Sequence, residues 1–188
     1  MIKVLDCTLR DGGYVNDWNF TQSQVGKIIN SLEKSNIDII ELGYLHKKRG
    51  GEENSTLFNA TSSIDVILNG ASSSIQKVVM IDLFAFDIDK LPKQVDTKID
   101  GIRLAFHKKD ITDALQTAKK IINLGYQLFF QPMVTKTYTD KEFLALIEKV
   151  GQIDIYAFYI VDSFGSMSLS EFKHYISLAD ANLNKGVG

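Results

Sequence analysis

Short apolar runs alternate along this chain with longer amphipathic stretches, and no other property of the sequence narrows the choice of fold so far. The runs occupy residues 2–8, 37–42, 78–83, 101–106, 127–133 and 155–161, lengths that suit buried strands. Between most of them, apolar side chains return at helical spacing. Val25, Ile28, Ile29 and Leu32 form one stripe, and Ile111, Ala114, Leu115, Ala118, Ile121 and Ile122 a second. Phe143, Leu146, Ile147 and Val150 make a third; Leu169, Phe172, Ile176, Ala179 and Leu183 make a fourth. Thr21 with Gln24, Thr139 with Glu142 and Ser168 with Glu171 each have the spacing of a capping box, which satisfies the first free amides of a helix. Gly125 stands where the second stripe would end in a left-handed residue. Residues 44–74 break the rhythm, and their Gly, Ser and Asn-rich part at 50–55 reads as a loop near the mouth of the fold.

Strand and helix in alternation build parallel sheets covered by helices. Two α/β architectures satisfy that pattern. An open, doubly wound sheet of about six strands would be complete at this length. A (β/α)8 TIM barrel takes about 250 residues, so six βα units plus the start of a seventh strand at Val187 and Gly188 would make an incomplete one. Periodicity does not choose between them. In either case residues 1–188 read as a single domain, long enough to bury about 70% of the surface of the unfolded chain.

Composition removes several classes of function. A formal charge of -2 and a pI near 5.9 give no electrostatic footprint for nucleic acid or an anionic membrane. The basic cluster at residues 46–49 is followed at once by Glu52 and Glu53 and reads as a solvated loop. No apolar run reaches the roughly 18 residues of a membrane-spanning helix. Met1 to Asp6 meets charge too early for a signal peptide. Cys7 is the one cysteine, the nearby Val4 and Leu5 suggest a buried thiol, and a cytoplasmic protein is expected. Neither a dinucleotide-binding Gly-x-Gly-x-x-Gly after the first run nor a phosphate-cradling Gly-Lys-Ser/Thr loop is present.

Chemistry concentrates at the end of the first run, in Leu5-Asp6-Cys7-Thr8-Leu9-Arg10-Asp11-Gly12-Gly13. Ligands of parallel α/β proteins sit at carboxyl strand ends. There Asp11 offers a hard oxygen to a divalent cation and Arg10 a guanidinium to a developing oxyanion. The same residues also suit a salt-bridged turn. On the fourth run Arg103, Ala105 and His107 share one face, which would aim Arg103 into a barrel and bring His107 near its mouth. Asp82, ending the third run, is a candidate for the pocket. His46, His174, Asp87 and Asp89 read as solvent-facing, and Tyr156, Phe158 and Tyr159 as a buried aromatic strand.

The motif of residues 5–12 resembles the first strand of the DRE-TIM metallolyases, a group that includes 4-hydroxy-2-oxovalerate aldolase, 3-hydroxy-3-methylglutaryl-CoA lyase and isopropylmalate synthase. Ile39-Ile40-Glu41-Leu42-Gly43 resembles their second strand and Ile102 to His107 their fourth. Val161-Asp162-Ser163-Phe164-Gly165-Ser166-Met167 is similar to the end of their sixth. The likeness, strongest to the hydroxy-oxovalerate aldolases, implies an incomplete (β/α)8 barrel. It further implies that the parent protein is a carbon–carbon lyase making or cleaving 4-hydroxy-2-oxo acids with Mg2+ or Mn2+. In that scheme Arg10 steadies the enolate oxygen, Asp11 ligates the metal, and Ser163 lies near the small-molecule 2-oxo acid. Arg103 and His107 are further candidates for touching that substrate, and Glu41 and Asp162 support them.

Two departures from the family pattern stand out. Tyr14 occupies a position where these aldolases carry a histidine tied to proton transfer; a phenol suits donation better than general-base work. The family's His-x-His metal pair belongs to a seventh strand, so the chain reads as truncated before it, with metal binding weak or absent and the chain itself inactive. A Claisen-type acyltransferase using an acyl-CoA is the second enzymatic reading. The third is a non-catalytic assembly module forming a homo-oligomer through open sheet edges.

Overall fold

The computed structural model describes residues 2–47, 54–68, 75–183 and 186–188. They divide into two compact units, Met1–Ile102 with Leu124–Tyr126, and Arg103–Asn123 with Gln127–Gly188.

The first unit is organised around one strand. β2 (Ile39–Leu45) is buried along its whole length and pairs in parallel with β1 (Leu5–Asp6), β3 (Leu57–Phe58) and β4 (Gln76–Asp82). Glu41 apart, its sequence carries no charged side chain on either face, as a strand buried on both sides requires. The β2–β4 register slips between Glu41 and Tyr44: Glu41 faces Val78, but Tyr44 faces Met80. Leu42 and Gly43 therefore oppose a single residue, a β-bulge.

The first apolar run pairs only at Leu5 and Asp6, although its length predicts a longer strand. Asp6 accepts hydrogen bonds from the Thr8 amide and hydroxyl, both at 3.0 Å, which turns the chain out of extended geometry. Two single-turn helices follow, α1 (Thr8–Asp11) and α2 (Gly13–Asn16), before α3 (Gln22–Lys34). α3 starts at the expected Thr21–Gln24 capping box and buries Val25 and Ile29. The irregular connection contains β3 and α4 (Thr61–Ile67); its glycine-rich part at 50–53 lies outside the described residues.

β5 (Gly101–Phe106) begins in the first unit and contributes its last four residues to the second. There β6 (Gln127–Pro132), β7 (Ala157–Phe158) and β8 (Gly186–Val187) run parallel in that order. α5 (Ile111–Asn123) buries Ala114, Ala118 and Ile121, and Gly125 follows it at φ 93° as its sequence position predicts. α6 (Asp140–Val150) buries the whole expected stripe, Phe143, Leu146, Ile147 and Val150.

α7 (Leu169–Asn182) differs from expectation. Leu169 and Phe172 are exposed, and the buried line is Tyr175, Ala179 and Leu183. Tyr175 carries a polar atom that a hydrophobic stripe overlooks, but its hydroxyl donates to the Tyr138 carbonyl at 2.6 Å, so the ring enters the core without an unpaired group.

Capping boxes open both α6 and α7. The Ser168 amide and hydroxyl hold the Glu171 carboxyl down at about 2, against an ordinary value of 4.5. Glu142 is lowered equally far, first by Lys108 and then by Thr139. Folded-state values below the unfolded ones mean that this stabilisation is present in full above pH 4.5 and fades as pH falls toward 2. Glu171→Ala should therefore lower the urea midpoint at pH 7 and converge with the parent near pH 2. A gap that stays constant across that range would show that the cap has no electrostatic share.

Candidate active site

The residues singled out by the sequence fall into two groups. Arg10, Asp11, Tyr14 and Glu41 belong to the first unit; Arg103, His107, Asp162 and Ser163 belong to the second.

In the first group everything is arranged around Arg10. Its Nε donates to Glu41 at 2.7 Å, and Glu41, on β2, is completely buried. Nη1 pairs with Asp11, whose side chain is half exposed. The guanidinium carbon lies 5.8 Å from the centre of the Tyr44 ring, within cation–π range. Burial by itself would favour proton loss from Arg10, yet the charge and hydrogen bond of Glu41 override it and hold the guanidinium above its ordinary pKa. Nη2 has no partner among the described residues.

The bulge explains how one strand supplies both supports. Residues three apart on a regular strand point to opposite faces. With Leu42 and Gly43 counting as one ladder position, Glu41 and Tyr44 emerge on the same side, and both reach Arg10. The bulge needs glycine: Gly43 has φ 147°, and a Cβ there would lie 1.9 Å from the Thr56 carbonyl oxygen.

Tyr14 is mostly exposed and its hydroxyl is 2.9 Å from that of Tyr44. Trp18 packs edge-to-face on both rings and donates its indole N–H to the Arg10 carbonyl at 2.9 Å. Thr56 fastens this segment from below, donating its hydroxyl to the Leu9 carbonyl and its amide to the Trp18 carbonyl. The Tyr44 phenol is held protonated by burial, then by the Tyr14 bond and the nearby Asp82 charge. Cys7 is half-buried rather than enclosed and donates to Asp11; burial and that bond push its thiol to about 11, which leaves it a poor nucleophile.

Tyr44 and Trp18 escaped the sequence reading. Strict alternation from Glu41 turns Tyr44 away, and only Gly43 hints that the alternation breaks. His46 also departs from expectation: together with Tyr14, Trp18, Tyr44, Leu57 and Asp82 it lines a cavity of about 240 Å³. Asp82, a candidate for a pocket from its place at a strand end, is among these lining residues.

In the second group Arg103 is buried on β5, donating to Gln131 of β6 at 2.9 Å, with its guanidinium 5.0 Å from the Tyr159 ring. His107, just past β5, is exposed and lines a larger cavity of about 680 Å³ with Lys108, Lys109, Met133, Val134 and Thr137. Ser163 accepts the Val134 amide at 2.9 Å. Asp162 accepts the amides of Met167 and Ser166, bonds that lower its pKa and close the turn bearing Ser163. His174 is at the surface, 2.8 Å from Asp140.

The described residues do not make up a divalent-cation site. No three His, Cys, Asp or Glu side chains converge among them. Asp11 is a single oxygen donor already paired with Arg10, and Glu41 lies fully buried on the Arg10 Nε. A hard cation takes six or more oxygens, so one carboxylate leaves it bound largely by water.

No family model matches the chain. It is 24% identical to a 4-hydroxy-2-oxovalerate aldolase of Rhodococcus jostii over 174 residues, 92% of this chain and 49% of that protein. It is 22% identical to a 4-hydroxy-2-oxohexanoate aldolase of Mycobacterium tuberculosis over 186 residues, 98% of this chain and 54% of that one. Among solved structures, the N-terminal domain of a candidate aldolase from Bacteroides vulgatus matches all of this chain and 63% of its own, with a TM-score of 0.80 and 25% identity. The fold is thus α/β, of the (β/α)8-barrel kind with an incomplete set of strands, and in sequence the chain is similar to enzymes of the DRE-TIM metallolyase type. The two enzymes just named are 4-hydroxy-2-oxo acid aldolases, and the chain spans about half the length of each. Among the described residues no helix is long and apolar enough to cross a membrane.

Proposed function

We propose that this chain is part of a carbon–carbon lyase that cleaves or forms 4-hydroxy-2-oxo acids. The observation that carries the reading is Arg10, a guanidinium fixed by a fully buried carboxylate beyond the carboxyl end of β1, with Nη2 left for an incoming oxygen. Cleavage takes the proton from the C4 hydroxyl, breaks the bond between C3 and C4 to give an aldehyde, and leaves the electron pair as the enolate of a 2-oxo acid, which regains a proton at C3. A preorganised cation beside the enolate oxygen lowers the cost of that charge without reorganising in the reaction.

Tyr14 is the proposed proton or hydrogen-bond donor, since its hydroxyl is already oriented by Tyr44. Ser163, His107 and Arg103 are proposed substrate contacts on the second unit, with Asp162 fixing the turn on which Ser163 lies. A Mg2+ or Mn2+ ion, which the relationship to metallolyases suggests, would need ligands besides Asp11, and none of these roles depends on it.

The test is pyruvate or related 2-oxo acid release by the complete gene product, supplied with divalent metal and 4-hydroxy-2-oxo acids of graded chain length. No release from any of them sinks the reading. Arg10→Lys keeps a positive charge but loses the planar fork that meets Glu41 and the substrate together. It should lower kcat/KM about 100-fold, mostly in kcat, the usual loss when one oxyanion donor is removed.

A further inference from the structure

The cavity of the first unit has walls of two kinds. Tyr14, Trp18, Tyr44 and Leu57 are aromatic or apolar; Asp82 and His46 are polar. Its volume of about 240 Å³ equals about eight water-sized groups at roughly 30 Å³ each, more than a pyruvate unit needs. We propose that it is the subsite for the hydroxylated tail of a 2-oxo acid, a sugar-acid chain rather than a plain alkyl one. The proposal rests on the reading of Arg10 given above and names the substrate class of that site.

The three rings form a connected apolar surface, with centroids 4.8 Å apart for Tyr14 and Trp18 and 5.9 Å for Trp18 and Tyr44. Such faces take the carbon-bound hydrogens of a polyol. An alkyl tail would satisfy them equally well, so the polar wall discriminates. An alkyl group laid against Asp82 and His46 offers their polar atoms no hydrogen bond, whereas a hydroxyl can add one to the several that a carboxylate accepts.

Charge orients the same ligand. Arg10 lies against the Tyr44 ring, while Asp82 lines the cavity and acts on the Tyr44 phenol through its charge. A carboxylate head is drawn to the guanidinium and repelled from Asp82; uncharged hydroxyls are accepted by Asp82. The paired hydroxyls of Tyr14 and Tyr44, at 2.9 Å, add two more groups of the kind that match a run of hydroxyls.

Trp18 is the chain's one tryptophan and lines the cavity, so its fluorescence reports occupancy directly. The 188-residue chain would be titrated with pyruvate, with 2-oxohexanoate and with a 3-deoxy-2-oxohexonate, its hydroxylated counterpart. The hexonate should quench Trp18 at about tenfold lower concentration than 2-oxohexanoate, the worth of one hydrogen bond to a charged group. Asp82→Ala should bring the two affinities to near parity. Leu57→Phe, which adds bulk at a lining position, should weaken both tailed acids relative to pyruvate and guards against a misfolded Asp82 variant.

Equal affinities in the parent, a preference that survives Asp82→Ala, or no quenching by any ligand overturns the proposal. Arg10→Gln separates the two readings. If the hexonate preference persists there with undiminished affinity, the cavity stands and the role given to Arg10 falls. If all three acids weaken together, Arg10 holds the shared head and the preference is judged on Asp82 alone.

Discussion

Glu41→Ala is expected to destabilise the first unit by about 3–5 kcal/mol, the cost of removing one partner from a buried ion pair. Glu41 is fully buried and Arg10 only 14% exposed, so neither gains much water when the other is lost. The alanine would also leave a cavity where the carboxylate stood, beneath a guanidinium that still carries its charge. Arg10 would retain Asp11, but Asp11 is 52% exposed and cannot replace the interior contact. Glu41→Gln should cost clearly less, because its amide oxygen can still accept from Nε. Urea unfolding monitored by Trp18 fluorescence separates the two. Equal losses for both variants would mean that shape, rather than charge, makes Glu41 necessary.

Gly43→Ala should cost at least about 3 kcal/mol, and for a different reason. Its backbone at φ 147° belongs to a region closed to residues with a Cβ, so the new methyl is strained before it meets anything. It then meets the Thr56 carbonyl oxygen at 1.9 Å and the Phe58 ring at 2.9 Å. That carbonyl accepts the Tyr44 amide, so relief would come from pushing β3 off β2. Thr56 also anchors Leu9 and Trp18, and the disturbance should spread to Arg10. Denaturation midpoints measure the stability loss; a shift in Trp18 emission in the folded state measures the spread. A stable variant with parental emission would show that the bulge does not hold the site.

Helices were legible wherever their signals were local. Capping boxes depend on residues three apart, and all three found their helices. The apolar stripe of α6 is legible in full because nothing polar lies in it. The stripe of α7 is not legible in this way, because Tyr175 enters the core through a partner, Tyr138, 37 residues away. The same contrast holds at the candidate site. Arg10, Asp11 and Glu41 stand out as charged residues among apolar ones. Tyr44 became visible only once the β2–β4 register was known, since a bulge is a property of two strands and alternation describes one. Trp18 at φ 55° and its approach to Arg10 likewise depend on a fold that the local residues do not announce.

Backbone strain in the described residues also has a pattern. Asn36 and Asn54, which tolerate positive φ, carry it ahead of β2 and β3. Trp18, Phe84 and Val134, which tolerate it poorly, carry it in the connections after β1, β4 and β6. Heat resistance selected in the laboratory would reach first for glycine or asparagine at those three positions. Two of them, Trp18 and Val134, line the two cavities described above, so the shortest route to a hardier protein would run through the parts of it proposed to meet a ligand.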